Sequence, residues 1–256
     1  MKRPRSAIIL CGGRGTRLGA LGKKVPKAMV KIQGKEIIWY IINILKKNKF
    51  NQIILPLGYK GNMIKKLSKR YKNLFNEVDL VNTGEDSNIG KRVSLVINKI
   101  KSENFLLLNG DAIFYSNLNK IFNRHLKKKL DMSFICSETE ADFGTIGVRN
   151  GKIINFIRGI KYNSIKLKNK NLFSGYIYTG MAIMNKKILN EKFSTKINFE
   201  KKFYPKIIKK YNCKMFHLDG VWHAMDNLKD INTVDKRNEN PAMYRKIKNI
   251  IKRLKK

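Results

Sequence analysis

Cysteine is scarce: Cys11, Cys136 and Cys213 are the only three in 256 residues. So few, so widely spaced, exclude a disulfide framework, and a reducing compartment is expected. Acidic residues are scarce too, 18 Asp and Glu against 55 Lys and Arg, a formal net charge of +37. Such an imbalance makes polyanions the first partners to consider. The lysines are spread along the whole chain among Asn and Ile, however, so no clustered basic groove marks a nucleic-acid binder. Long apolar runs are also missing. Residues 7–11 form an apolar run that stops at Gly12 and Gly13, too short for a signal peptide. Nothing approaches the roughly 20 apolar residues of a membrane span, and a cytoplasmic protein without stable membrane insertion is expected. Proline is rare, five residues, and no Pro-, Gly- or Ser-rich linker or internal repeat divides the chain. Residues 1–256 therefore read as one domain, with 43% hydrophobic residues to build its core. A homo-oligomer is left open.

Short apolar runs at 7–11, 52–57, 78–81, 105–108 and 132–136 read as strands buried on both faces. Between them, 36–47, 60–75, 90–101 and 118–130 carry apolar residues at helical spacing, as in Ile37, Ile38, Ile41, Ile42 and Leu45. Strand then helix, repeated, predicts an α/β fold: a mostly parallel sheet flanked by helices. After about residue 140 the strands shorten (145–149, 152–156, 181–184, 215–218), which predicts a smaller α+β C-terminal extension of the same sheet. The lysine-rich stretch 161–171 reads as an exposed loop or ragged hairpin. Residues 242–256 read as a basic helix opening after Pro241, with Ile247, Ile250, Ile251 and Leu254 on the side that docks. A dimer contact or an anionic membrane are its other candidate partners.

The segment Leu10-Cys11-Gly12-Gly13-Arg14-Gly15-Thr16-Arg17-Leu18 carries the most chemistry. A buried strand runs into three glycines and two arginines, an arrangement that offers bare backbone N–H groups to a phosphate. Spacing excludes two familiar loops. A Walker loop needs glycine where Arg17 stands, five positions before Gly22-Lys23. A dinucleotide fingerprint needs glycine where Leu18 stands, and a helix opening there, whereas Gly19 and Gly22 follow. Pro26-Lys27 then sets a lysine on a stiffened segment, and Arg17 with Lys27 can clamp a polyphosphate.

The glycine loop through Leu18, followed by Pro26-Lys27, resembles the signature of sugar-1-phosphate nucleotidyltransferases. Within that family the chain is most similar to the glucose-1-phosphate cytidylyltransferases. Lys35 to Ile41, Gly58-Tyr59-Lys60-Gly61, Thr83-Gly84-Glu85-Asp86 with Gly90 and Arg92, and Trp222-His223-Ala224-Met225-Asp226 carry the likeness. It implies a Rossmann-like sheet, a nucleoside triphosphate donor and Mg²⁺, with 1–140 binding nucleotide, 141–240 binding acceptor and 241–256 forming the basic helix. It also implies that Asp111 and Asp226 ligate the Mg²⁺. Leu10, Cys11, Gly12, Gly13, Gly15, Thr16, Arg17, Lys27, Asn109 and Gly110 would surround the nucleotide. Gly58, Tyr59, Thr83, Gly84 and Arg92 match positions lining the base pocket of cytidylyltransferases, which makes CTP the expected donor. Arg17, Lys27, Asp111 and Asp226 would be catalytic.

Asp111 closes the apolar run 105–108 through Asn109-Gly110, and the carboxyl ends of parallel strands are where open α/β sheets bind ligands. Two carboxylates plus substrate phosphates suit the hard Mg²⁺ ion. An Asp after a strand is also a common turn or cap residue. The sugar-specific pattern Phe-x-Glu-Lys-Pro is altered here to Phe156-Ile157-Arg158-Gly159, and the Asn that often precedes a later Gly is absent from Tyr178-Thr179-Gly180. Arg158, Thr179, Gly180 and Trp222 are the candidate acceptor-binding residues. Losing a carboxylate that recognises hydroxyls predicts a changed acceptor, such as the phosphorylated glutamine of capsule phosphoramidate synthesis. A sugar 1-phosphate yielding a CDP-sugar is the alternative, and a noncatalytic polyanion or membrane-surface binder is the reading from another class. Zinc on Cys213, His217 and His223 is not expected, for want of a fourth ligand. A metal-dependent glycosyltransferase is disfavoured because Ala112 and Ile113, not an Asp-x-Asp, follow Asp111.

Overall fold

The structure is a computed structural model. It describes residues 5–140, 145–149, 152–157, 161–162, 165–166, 172–173, 176–190 and 198–255. Ser6–Leu10 alternates its side chains between two apolar layers, Ala7 and Ile9 into one and Ile8 into the other. Gln52–Leu57 does the same with Ile53 and Leu55 against Ile54, and Asn104–Asn109 with Leu106 and Leu108 against Phe105 and Leu107. Because successive side chains of a strand point to opposite faces, continuous apolar runs need cover on both sides. Ile37–Lys47, Gly61–Ser68 and Leu118–Lys127 cover one face, and Ile89–Val96 with Phe199, Phe203, Tyr204 and Ile207 covers the other.

In the eight-stranded sheet, Glu77–Asn82, Gln52–Leu57, Ser6–Leu10 and Asn104–Asn109 are neighbours in that order and all parallel. Tyr176–Asn185 follows antiparallel, then Met132–Glu140, with Cys213–His217 and Lys161–Tyr162 beyond it. The order reverses direction at Ser6–Leu10, so the crevice for a ligand lies beyond Leu10 and Asn109. The fold is thus the expected Rossmann-like α/β sheet, with its C-terminal extension hydrogen-bonded into it.

Departures from the sequence reading are local. The helical stretch 60–75 is an α-helix, Gly61–Ser68, continued by 3₁₀ turns over Lys69–Leu74. The stretch 90–101 is likewise Ile89–Val96 and then 3₁₀ over Ile97–Lys99, because apolar spacing does not separate an α-turn from a tightened one. The strand expected at 181–184 extends over Tyr176–Asn185, with a bulge between Tyr178 and Met181, and the one expected at 215–218 is Cys213–His217. Ala112–Ser116 and Gly220–Ala224 form an unexpected antiparallel pair. A short helix, Ala20–Lys24, does follow the glycine loop, but only after a 3₁₀ turn at Thr16–Leu18. The C-terminal helix Pro241–Lys255 docks: Ile247 and Ile250 are buried in the core shared with Ile37–Lys47 and Leu228–Asp235. Among the described residues no helix is long and apolar enough to cross a membrane.

Candidate active site

The glycine loop is shaped by two backbone constraints. Gly15 adopts φ 63°, a left-handed conformation, and Leu18 donates to its carbonyl at 3.0 Å. Gly22 packs so tightly against the loop that a Cβ there would lie 2.4 Å from the Gly15 carbonyl oxygen. Among the described residues, the backbone N–H groups of Gly13, Arg14, Gly15 and Thr16 donate to no protein acceptor. Unpaired donors in a turn of this kind form an anion-binding concavity. Arg14 itself turns away, ion-paired with Glu85 at 3.2 Å and Asp86 at 2.9 Å.

Asp111 and Asp226 are more than a hundred residues apart in the chain, and sheet register brings them together. Ala112 pairs with Ala224 across the small ladder, and the Met225 N–H donates to the Asp111 carbonyl at 3.0 Å. Gly110 N–H donates to the Leu10 carbonyl at 2.9 Å, tying the same turn to the end of the first strand. Asp230 fixes the other side: its carboxylate accepts from the backbone N–H of Asp226 at 2.8 Å and of Asn227 at 3.0 Å, within a capping box for Leu228–Asp235.

Lys27 stands between the two carboxylates, its Nζ 2.9 Å from Asp111 Oδ2 and 2.7 Å from Asp226 Oδ1. Arg17 reaches the other oxygen of Asp226 at 3.2 Å. Partial burial pushes the Asp226 carboxyl upward, but the hydrogen bond and charge of Lys27, aided by Arg17, outweigh it and hold the group below its ordinary value. A single cation already bridges both carboxylates, so their oxygens converge on one position. Hard carboxylate oxygens are the donor chemistry Mg²⁺ takes, and the pair fits that ion. These residues line a chamber of about 200 Å³ together with Gly13, Gly15, Thr16 and Gly110.

A second chamber of about 410 Å³ adjoins it, sharing Leu10, Gly13 and Asp111. Gly12, Asn109 and Arg92 also face it, as do Ser87, Asn88 and Ile89 on one side and Asn198, Phe199 and Glu200 on the other. Sequence reasoning missed both of these walls. Asn88 had a legible signal, being the cap that accepts from the Lys91 N–H at 2.9 Å. Asn198 to Glu200 enter a π-helical turn, Phe199–Phe203, that no local pattern announces.

Of the residues expected to line a base pocket, Arg92 is buried and braces the walls instead of projecting freely. Its guanidinium donates to the Gly12 carbonyl at 2.9 Å, the Glu85 carbonyl at 3.1 Å and the Thr83 hydroxyl at 2.6 Å. Gly12 and Gly58 flank it so closely that a Cβ on either would lie within 2.4 Å of its Nη1. Burial lowers its pKa. Thr83 is buried and donates to the Leu57 carbonyl, Gly84 is an exposed turn residue with φ 85°, and Tyr59 packs under Arg14 at 5.2 Å. None of these three borders the chamber. Cys11 borders the smaller one, and burial pushes its thiol up to about 12, which leaves it a packing group.

On the acceptor side, Thr179 is buried and donates to the Ile135 carbonyl at 2.7 Å, while its own carbonyl accepts from Trp222 Nε1 at 3.1 Å. Gly180, φ 77°, forms the bulge that lets the strand approach Asn109. Arg158 lies outside the described residues. Among the described residues no group of three or more His, Cys, Asp or Glu side chains gathers at one point. Cys213 and His223 face backbone carbonyls, of Ile207 and Asp230.

The chain belongs to the nucleotidyl transferase family, whose model matches residues 6–239. It is 32% identical over 205 residues to the D-glycero-alpha-D-manno-heptose 1-phosphate guanylyltransferase of Aneurinibacillus thermoaerophilus, covering 78% of this chain and 84% of that protein. It is 24% identical over 246 residues to the glucose-1-phosphate cytidylyltransferase of Salmonella typhimurium, covering 88% and 92%. The crystal structure of HddC from Yersinia pseudotuberculosis superposes with a TM-score of 0.68 at 23% identity, covering 91% of this chain and 99% of that one. The protein is a nucleotidyltransferase of the sugar-1-phosphate type.

Proposed function

We propose that the enzyme transfers CMP from CTP to a small phosphorylated acceptor and releases pyrophosphate. The observation that carries this reading is the Lys27 ammonium set 2.9 Å and 2.7 Å from Asp111 and Asp226 beside the unpaired amides of the glycine loop. A phosphate oxygen of the acceptor forms the new bond to the α-phosphorus as the bond to the bridging oxygen breaks, and that oxygen leaves on pyrophosphate. The acceptor phosphate is already ionised near neutral pH, so no general base is required. Bringing two polyanions together is the difficulty, and positioning and neutralisation supply most of the catalysis. Asp111 and Asp226 would hold Mg²⁺, which when bound neutralises charge on the reacting phosphates. Lys27 and Arg17 exchange carboxylate partners for phosphate oxygens, and the amides of Gly13 to Thr16 receive the departing pyrophosphate. The second chamber takes the nucleoside, so Asn198 to Glu200 serve the donor, while Arg158, Thr179, Gly180 and Trp222 serve the acceptor.

CTP is favoured by the segments shared with cytidylyltransferases and by Glu200. A carboxylate on the chamber wall accepts from the exocyclic amino group of cytosine and disfavours the carbonyl that uracil and thymine carry there. Guanine also presents N–H donors, and the relative at 32% identity is named a guanylyltransferase, so GTP is the second reading. A non-sugar acceptor such as phosphoglutamine is favoured over a sugar 1-phosphate because Ile157 stands where sugar-specific members carry Glu. The test is pyrophosphate release with CTP, GTP, UTP and dTTP: at least a tenfold preference for CTP is expected. A preference for GTP would replace this donor assignment, and a preference for UTP or dTTP would remove the role given to Glu200.

A further inference from the structure

At the other end of the sheet lies a cavity of about 460 Å³, larger than either crevice chamber. Arg5 and Asn51 border it just before the strands Ser6–Leu10 and Gln52–Leu57, and Asn104 borders it at the start of Asn104–Asn109. Those strands lead away to the crevice, five or six residues and roughly 16–20 Å distant.

The polar wall is biased toward donors. Arg5 Nη2 donates to Asn123 Oδ1 at 2.9 Å, Arg5 Nη1 donates to Asn119 Oδ1, and the Arg5 backbone N–H donates to Asn51 Oδ1 at 3.2 Å. Asn104 Oδ1 accepts from Asn185 Nδ2 at 3.2 Å and lies 2.9 Å from His125 Nε2. A guanidinium and a backbone N–H can only donate, so Asn51, Asn119 and Asn123 must present oxygen to Arg5. All four carboxamides have committed their oxygens, and their NH₂ groups have no partner among the described residues. Lys49 adds a positive charge, against Glu103 as the acidic residue of the described lining. The floor is Leu126, 41% exposed, and the Arg5 guanidinium, which lies 4.8 Å over the ring of the buried Phe122 one helical turn before Leu126 on Leu118–Lys127.

We propose that this cavity is a second binding site, for a small organic anion with a flat apolar body. The anion's oxygens accept from the free carboxamide N–H groups and from Lys49, while the flat body lies on the Arg5 guanidinium that covers Phe122 and on Leu126. The volume falls in the range of small-molecule sites. Carboxylate and phosphate heads offer the same acceptor chemistry, and the experiment separates them.

Fluorine NMR on the full chain would measure the affinities of 4-fluorophenyl phosphate, 4-fluorobenzoate and, as the uncharged control, 4-fluorophenol. Asn123→Asp keeps an oxygen for Arg5 and replaces the free NH₂ by a negatively charged oxygen. Lys27→Ala reports on anions held in the crevice instead. At least one anion is expected to bind at least tenfold more tightly than 4-fluorophenol. Asn123→Asp should weaken it at least tenfold with CMP transfer unchanged, and Lys27→Ala should change its affinity less than twofold. The phosphate binding more tightly than the benzoate, or the reverse, identifies the head group. Equal affinity for the phenol, no effect of Asn123→Asp, or loss of binding in Lys27→Ala alone would each overturn the proposal.

Discussion

Lys27 is placed to serve the site in two ways, because the ammonium that joins Asp111 and Asp226 also lines the chamber into which the glycine loop turns. Lys27→Ala and Asp111→Asn are each expected to lower turnover by at least about 100-fold, the scale of one lost charge-stabilising group. Steady-state kinetics on the purified variants checks this, and near-normal turnover would remove that residue from the mechanism. These residues were legible because each sits in a short contiguous motif. Arg92 was legible as a residue of the site but not as the brace it is, since its partners are backbone carbonyls that a sequence does not display. His125 was not legible at all. Buried between Ser133 and Asn104, it has a pKa pushed down to about 4 by burial, offset in part by the charge of Asp131. A histidine near 6.5 in the unfolded chain and near 4 in the fold binds its proton more readily when unfolded. It therefore leaves stability unaffected above about pH 6.5 and costs on the order of 3 kcal/mol once the pH has fallen through both values. Unfolding midpoints at pH 7 and pH 4.5 should diverge, and His125→Gln should narrow that difference.

At the scale of elements, the buried strands and the helices between them were readable from apolar periodicity alone. The pair Ala112–Ser116 and Gly220–Ala224 was not, because its two halves lie far apart in sequence and only their register, Ala112 opposite Ala224, makes Asp111 and Asp226 neighbours. Likewise the turn at Phe199–Phe203 reaches the larger crevice chamber through tertiary packing of Phe199 and Phe203, which reads in sequence as ordinary core. Among the contacts between elements that shape the glycine loop is Gly22 of the helix Ala20–Lys24 against the Gly15 carbonyl. Gly22→Ala must displace one or the other. Nucleotide KM is expected to rise by roughly one to two orders of magnitude, since a shift of about 1 Å at a phosphate site is enough. An unchanged KM with a lowered melting temperature would make the contact purely structural.

For the molecule as a whole, the order of the four parallel strands decides where chemistry can occur: the reversal at Ser6–Leu10 opens the crevice into which Leu10, Asn109 and Asp111 project the glycine loop and the carboxylates. The strong positive charge suits a protein whose substrates are all phosphate anions, without any base-reading surface being required. The sequence pattern conveyed the architecture and the carboxylates, but the acceptor's identity rests on the segment around Ile157 and Arg158, where one-dimensional pattern stops being informative. Phosphorus NMR of the full chain with CTP, Mg²⁺ and a panel of glucose 1-phosphate, other sugar 1-phosphates, phosphocholine and phosphoglutamine reads CMP transfer and the acceptor's identity together. Free pyrophosphate together with a CMP-linked diphosphate product from at least one acceptor is expected, both abolished by Asp111→Asn. Contradiction would come as unconsumed CTP with every acceptor, or as equal product formation by Asp111→Asn.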